Sequence, residues 1–109
     1  MKVFISMPMN DKSDEEILAE RNRIASEIKE KYEVNGGHVE ILDSLFGITA
    51  DDVPTDKEVT SLGVYYLGHS VLLLSHADAI YMAPGYENHR GCLIEHQIAK
   101  AYGITVLNE

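Results

Sequence analysis

One glutamate, Glu95, lies within the apolar stripe of the helix that the sequence predicts over residues 88–102. With about 100° between successive residues, the positions within about 60° of Glu95 are small or apolar. They are Gly91, Cys92, Ile98, Ala99 and Tyr102. Such surroundings raise the pKa of a carboxyl group, and a nearby helix N-terminus lowers it. A carboxylate placed there can serve as a general base, a general acid or a nucleophile.

Three structural explanations compete with a chemical role for Glu95. A capping glutamate lies in the first helical turn, whereas Glu95 is about seven residues and about 10 Å from the helix start. A buried ion pair with Arg90 or Arg21 is a second explanation, although such pairs often gain little over apolar packing. Wider exposure of the helix is the third. On the chemical interpretation, which we favour, the first half of the helix lines a pocket and Gly91 leaves room for a ligand.

The segment just before this helix offers further candidates for ligand contact. Arg90 can hold a phosphate together with helix N-terminal amides, or it can form a surface ion pair with Glu87. Tyr86 can stack on a base or simply cover the loop, and we favour ligand contact. Asn88 is predicted to be the helix N-cap.

The histidines and the cysteine do not predict a metal site. His69 and His76 are seven residues apart, as are His89 and His96, instead of the four that place helical zinc ligands on one side. Cys92 is the only cysteine, so neither an intrachain disulfide nor a cysteine metal site can form. It is a packing residue unless the helix start lowers its pKa. We expect no metal and no cofactor.

These residues are positioned by alternating predicted strands and helices. The strands are predicted at 2–6, 38–42, 79–83 and 104–107, and the helices at 14–32, 60–76 and 88–102. Ser13 and Glu16 form a capping box before the first helix, which ends at the NGG of 35–37. The stretch 43–58 lacks clear periodicity and is longer than usual for a connection, a property often linked to function.

This order of elements predicts an α/β fold. Right-handed crossovers then give a flavodoxin-like three-layer sandwich with a four-stranded parallel sheet, in the order 2-1-3-4. Ligands in such folds bind beyond the carboxyl ends of the strands, where the winding changes direction. That point lies between strands 1 and 3, where the loops 6–10 and 83–91 meet.

Length and charge limit the classes of function. The 109 residues suit one domain, 1–109. Nine basic against eighteen acidic residues give a net charge of -9, which disfavours a nucleic acid polymer as partner but does not disfavour a single nucleotide. No apolar run approaches the roughly 20 residues of a bilayer span, and the start does not resemble a signal peptide. We expect a cytoplasmic protein with no membrane contact.

The segment ADAIYMAPGYENHRGCLIEHQIAKAYGITVL resembles the nucleoside 2-deoxyribosyltransferase-like superfamily, in particular its small, often phage-encoded members of unassigned function. These share a D-A-strand-P-G-[WY]-E-N-x-x-G-x-x-x-E-x-x-x-A signature. The resemblance covers the chain and is specific over 78–103. It implies a Rossmann-like fold and cleavage of a nucleoside N-glycosidic bond by a glutamate that attacks the anomeric carbon. The deoxyribosyltransferases pass the sugar to another base, and relatives hydrolyse the N-glycosidic bond of nucleoside monophosphates.

Position by position, the resemblance implies that Glu95 is the nucleophile and that Gly91 leaves space for the sugar. A carboxylate nucleophile forms a covalent glycosyl intermediate, as in retaining glycosidases. The substrate-binding residues are then expected in the first-strand loop and the loop before the last helix. They are Ser6, Met7, Pro8, Met9, Pro84, Gly85, Tyr86, Asn88, Arg90 and Gly91.

Two positions depart from the family pattern. His89 replaces an aspartate six residues before the nucleophile, and Ser70, in GHSVLLLSHAD, replaces an aspartate in the preceding helix. The departing base needs a proton, which His89 can supply, and we keep Ser70 as a substrate-binding residue. Family members usually complete the site with a neighbouring subunit, which implies a homo-oligomer, a dimer or higher.

The sequence therefore predicts a nucleoside- or nucleotide-binding protein that cleaves an N-glycosidic bond, by hydrolysis or by deoxyribosyl transfer. The departures at His89 and Ser70 favour hydrolysis. The alternative is a non-catalytic module for a nucleotide derivative such as an ADP-ribose-like signal, in which Glu95 accepts hydrogen bonds from ribose hydroxyls. A third possibility is a structural partner protein with no small ligand.

Overall fold

Four parallel strands form the central sheet in the order β2-β1-β3-β4. They are β1 (Lys2–Ser6), β2 (Glu40–Leu42), β3 (Ala79–Met82) and β4 (Thr105–Val106). This computed structural model describes residues 1–9, 12–42 and 60–108. The predicted α/β class and strand order are confirmed, and the predicted connection 43–58 lies outside the described residues.

Three helices cover the sheet: α1 (Asp14–Tyr32), α2 (Leu62–Leu74) and α3 (Arg90–Tyr102). The capping box before α1 is confirmed, because Ser13 Oγ accepts from the Glu16 amide at 3.2 Å and the Glu16 carboxylate accepts from the Ser13 amide. The bounds of α1 match the prediction. In the described part of the chain, no helix is long and apolar enough to cross a membrane.

The start of α3 differs from the prediction. Gly85 adopts a left-handed φ of 88°, and a short 3-10 turn, Tyr86–Asn88, follows it. The extended residue His89 is therefore the N-cap of α3, and it caps without a side-chain hydrogen bond. The prediction that Asn88 caps the helix is wrong, because Asn88 belongs to the preceding turn.

The alternation of side chains along β1 divides the core into two layers. On one side of the sheet, Val3 and Ile5 pack with Ile24 and Ile28 of α1. On the other side, Phe4 packs among residues of α2, β3 and α3. These are Leu74, Ile80, Met82, Cys92 and Ala99. Ser6 follows Phe4 on this second side, which directs its hydroxyl toward α3.

The helix α2 is apolar but largely uncovered. Leu74, at its last position, is its only buried residue among those described, with 1 % exposure. Leu62, Val64 and Leu72 are 47 %, 68 % and 64 % exposed. The helix is also shorter than the predicted 60–76, because the Leu73 and Leu74 carbonyls accept from His76 and Ala77 in a closing turn.

Candidate functional site

The carboxylate of Glu95 is buried, with 7 % exposure, and accepts a hydrogen bond at 2.7 Å from the hydroxyl of Ser6. Ser6 is the last residue of β1, and Glu95 lies in the second turn of α3. The predicted burial of Glu95 is therefore confirmed. Cys92 and Ala99 of its stripe are buried as well, whereas Gly91 and Tyr102, near the two ends, are exposed.

The two carboxylate oxygens of Glu95 have different surroundings. Oε1 accepts from Ser6. Oε2 has no hydrogen-bond partner within the described structure and is not fully enclosed, because every fully enclosed side-chain oxygen or nitrogen there has a partner. One oxygen is thus held by a hydrogen bond inside the protein, whereas the other has no partner among the described residues.

Burial raises the pKa of Glu95 above its ordinary value, and the hydrogen bond from Ser6 opposes this effect only in part. The carboxyl group therefore keeps its proton to a higher pH than an exposed glutamate does. The ion-pair explanation for Glu95 is wrong, because its partner is a neutral hydroxyl and it forms no ion pair with any described residue.

Cys92 lies one turn before Glu95 and shares its surroundings. Burial is the main cause that raises the pKa of the Cys92 thiol, and the nearby Glu95 charge adds to it. A hydrogen bond with Ser6 and the charge of Lys12 act in the opposite direction. The hypothesis that the helix start lowers the pKa of Cys92 is therefore wrong. Cys92 is a packing residue.

Lys12 was not among the residues expected at the site. Its Nζ lies 2.6 Å from Glu20 Oε2 in a half-buried ion pair, and its charge acts on the Cys92 thiol. The pair thus places one positive and one negative charge at the start of α1, and the positive one is near enough to act on Cys92. The only feature of the sequence that could have indicated Lys12 as a site residue is its position in the loop after β1, next to the N-cap Ser13.

The ends of β1 and β3 are tied together beside Glu95. The Ala83 amide donates to the Ser6 carbonyl at 2.9 Å. Asn108 completes the end of β3, because its side chain accepts from the Met82 amide at 2.9 Å and donates to the Met82 carbonyl at 2.6 Å. Asn108 is a second residue that sequence reasoning missed, and it fixes the strand end from which the 83–91 loop starts.

The remaining predicted binding residues of the first loop are divided between core and surface. Met7 is buried in the α1 layer of the core and Pro8 is buried as well, while Met9 is exposed. Of this loop, only Ser6 bonds to Glu95 among the described residues.

The second loop places its polar groups near the start of α3. Tyr86 packs against the core layer that contains Cys92, with its ring 5.6 Å from that of His96. Pro84, Gly85 and Asn88 are exposed. Arg90, the first residue of α3, is exposed and makes no ion pair with Glu87. Of the two alternatives for Arg90, the surface ion pair is therefore absent between these two described residues, and phosphate binding stays a prediction.

Three predicted residues stand apart from the Ser6–Glu95 hydrogen bond. His89 is half-buried at the N-cap of α3, and Ser70 is half-buried in α2; neither donates to Glu95. Gly91 has open space around it, since a Cβ added there would meet no atom within 4 Å. Gly91 is exposed, so its role in leaving room for a ligand stays a prediction.

Other regions offer less chemistry. Within 1–9, 12–42 and 60–108, no group of three His, Cys, Asp or Glu residues is placed to hold a metal ion. A groove of about 520 Å³ lies between α1 and β2. Its lining includes Arg21, Ser26, Lys29, His38 and Glu40. None of these is buried, so the groove has no counterpart to Glu95.

The comparison with known proteins gives a family and no activity. The chain belongs to the family described as a domain of unknown function, DUF4406, whose model matches residues 1–108. No curated protein and no solved structure matches the chain. A function has to be argued from the Ser6–Glu95 site.

Proposed function

We propose that this member of the DUF4406 family binds a nucleoside or nucleotide and cleaves its N-glycosidic bond, with Glu95 as the nucleophile. The observation that carries the proposal is the asymmetry of the buried Glu95 carboxylate, in which Oε1 accepts from Ser6 and Oε2 has no hydrogen-bond partner in the described structure. The resemblance to the nucleoside 2-deoxyribosyltransferase-like superfamily supports the choice of substrate. A cytoplasmic location stays a prediction.

The reaction has two steps on this proposal. Oε2 of Glu95 bonds to the anomeric carbon while the bond from that carbon to the base nitrogen breaks. The base leaves with the electron pair and takes up a proton, which we assign to His89. Water then attacks the anomeric carbon, the carboxylate leaves, and one proton passes to solvent. A second base in place of water would give transfer.

The raised pKa of Glu95 has a consequence for this chemistry. Attack requires the carboxylate form, so activity should rise with pH through the raised pKa of Glu95. An exposed glutamate would already be ionised at lower pH.

The test is incubation with a panel of nucleosides and 5'-monophosphates, followed by detection of free base. Glu95→Ala should lower the rate about a thousand-fold or more, because the nucleophile is removed. Cys92→Ala is the matched control, since it also shortens a buried side chain of α3 one turn away. An active Glu95→Ala variant, or no free base from any substrate, would contradict the proposal.

A specific observation supports the binding module as the second candidate. The Glu95 carboxylate is held by a neutral hydroxyl, and neither His89 nor Ser70 bonds to it, an arrangement that also suits a group that only accepts hydrogen bonds from ribose hydroxyls. Binding without turnover, retained in Glu95→Gln, would favour a nucleotide-derivative module. The absence of a thermal shift with any nucleotide would contradict both candidates and favour the structural partner protein.

We also propose that the protein forms a homo-oligomer through α2. This helix contains no Asp, Glu, Lys or Arg from Leu62 to Leu74, although the chain carries a net charge of -9. Two copies that meet through α2 would bury its exposed leucines and keep their acidic surfaces apart. The mass in solution tests this proposal.

A further inference from the structure

Ser6 is buried at a strand end whose backbone is held by hydrogen bonds on both strands. Ser6 is 1 % exposed, and its carbonyl accepts from the Ala83 amide at 2.9 Å. In the sheet it is paired with Met82, whose own amide and carbonyl are held by Asn108. Buried in this way, the Ser6 side chain has little access to a ligand: its hydroxyl donates to Glu95 Oε1, and the Cys92 thiol is its other hydrogen-bond partner.

We propose that Ser6 is a positioning residue for Glu95, which selects Oε2 as the attacking oxygen and keeps Oε1 as the acceptor of its hydroxyl throughout the reaction. This inference rests on the proposed function. It reassigns Ser6 from the substrate-binding role that the family resemblance implies, because a buried hydroxyl already donating to Glu95 at 2.7 Å is not available to a nucleoside.

The hydrogen bond acts differently in the two steps. When Oε2 bonds to the anomeric carbon, Oε1 becomes the carbonyl oxygen of a glycosyl ester. When water cleaves that ester, negative charge returns to the carboxylate, and the Ser6 hydroxyl donates to the oxygen on which the charge develops. Ser6 should therefore accelerate the second step more than the first.

The first experiment measures the Glu95 carboxyl group without any substrate. Carbon-13 NMR of the side-chain carboxyls, with Glu95→Gln to identify the signal, gives the pKa of Glu95 in the full chain. Ser6→Ala should raise that pKa by about one to two, since a hydrogen bond to a charged group is removed. Cys92→Ala, which shortens a neighbouring side chain but leaves the Ser6 hydroxyl donating to Glu95, should change this pKa less than Ser6→Ala does.

The second experiment measures turnover. Ser6→Ala should lower kcat by about 10- to 100-fold. The Ser6→Ala variant should also release base in a rapid burst, in an amount equal to that of the protein. Intact-mass spectra should then show the sugar still bound to the protein. Ser6→Cys, which keeps a weak donor of similar size, should lie between the wild type and Ser6→Ala.

The two proposals fail in different ways. If no substrate is cleaved by the wild type, the proposed function is contradicted, and the titration still decides whether Ser6 controls Glu95. If the wild type cleaves a nucleoside while Ser6→Ala matches Cys92→Ala in Glu95 pKa and kcat, the positioning role is overturned. A loss of thermal stability alone, with an unchanged pH–rate profile, also overturns it.

Discussion

The helices α3 and α2 each depart from the rule that polar side chains are exposed and apolar side chains are buried, and they do so in opposite ways. The helix α3 buries a carboxylate, Glu95, and α2 exposes large apolar side chains such as Val64 and Leu72. Each arrangement costs free energy in the isolated chain, the first by desolvation and the second by hydration of apolar surface. On the functions proposed above, the small ligand would bind beside α3 and a second copy of the chain would pack against α2.

The largest expected effect on stability distinguishes the buried side of α2 from its exposed side. Leu74→Ala should lower the free energy of unfolding by about 2–5 kcal/mol, because Leu74 packs in the buried cluster that contains Phe4 and the α3 residues Cys92 and Ala99. Leu72→Ala, two residues away and largely exposed, should change it by less than about 0.5 kcal/mol. Chemical denaturation of both variants at low protein concentration checks this. Equal losses would mean that Leu72 is covered within a single chain.

The next effect concerns the carboxylate of α3 and depends on pH. Because the pKa of Glu95 is raised above 4.5 in the folded chain, the folded state binds this proton more tightly than the unfolded state. The stability that the protonated group provides is complete below about pH 4.5 and is lost as the pH rises through the raised pKa.

The free energy of unfolding of the wild type should therefore fall relative to Glu95→Gln over this interval. The fall is about 1.4 kcal/mol for each unit by which the pKa is raised. Denaturation of both proteins between acid and neutral pH measures the difference between their free energies of unfolding. The contributions of the other carboxylates are the same in both proteins and cancel. A difference that stays constant with pH would show that Glu95 titrates like an exposed glutamate.

A smaller effect compares the N-termini of the two helices. Ser61 caps α2, with its side chain accepting from the Val64 amide at 3.3 Å, whereas His89 leaves α3 without a side-chain cap. Ser61→Ala should cost about 1 kcal/mol, and His89→Ser should gain up to about 1 kcal/mol.

Thermal unfolding measures both changes. On the proposed function, the gain in His89→Ser should come with slower base release, because the proton donor is removed. A His89→Ser variant that is more stable and equally active would exclude His89 from proton transfer.

The smallest effect on chain stability tests the α2 surface as an interface. Leu72→Lys should change the stability of a single chain by less than about 0.5 kcal/mol, since the side chain is exposed. It should nevertheless shift the mass in solution toward the monomer, because a charge is placed in the apolar contact. Leu93→Lys, at another exposed leucine, which lies on α3 and is 40 % exposed, is the control. Sedimentation at several concentrations measures the mass, and no shift would exclude α2 as the interface.

Patterns within single segments predicted most of the fold. The capping box at Ser13 and the spacing of Ile24 and Ile28 were enough to define α1, and the alternation of elements gave the strand order. The burial of Glu95 followed from the helical periodicity of its neighbours. The chemical role of Glu95 stays a prediction, because periodicity does not specify a ligand.

Features that depend on distant contacts or on loop geometry were not predicted. The exposure of Val64 depends on what packs against α2, which hydropathy does not reveal. The start of α3 depends on the left-handed Gly85, which shifts the cap from Asn88 to His89. The partner of Lys12 lies inside α1, at Glu20, so it depends on how the chain enters that helix.

The attachment of Met82 to Asn108 gives the end of β3 a separate route for local opening. Amide hydrogens within a sheet exchange with solvent when neighbouring strands separate. The Met82 amide is covered instead by a side chain from 26 positions later in the chain, so rotation of that one side chain uncovers it while the strands stay paired. Hydrogen exchange at Met82 thus reports release of the Asn108 side chain from the end of β3 without unfolding of the sheet.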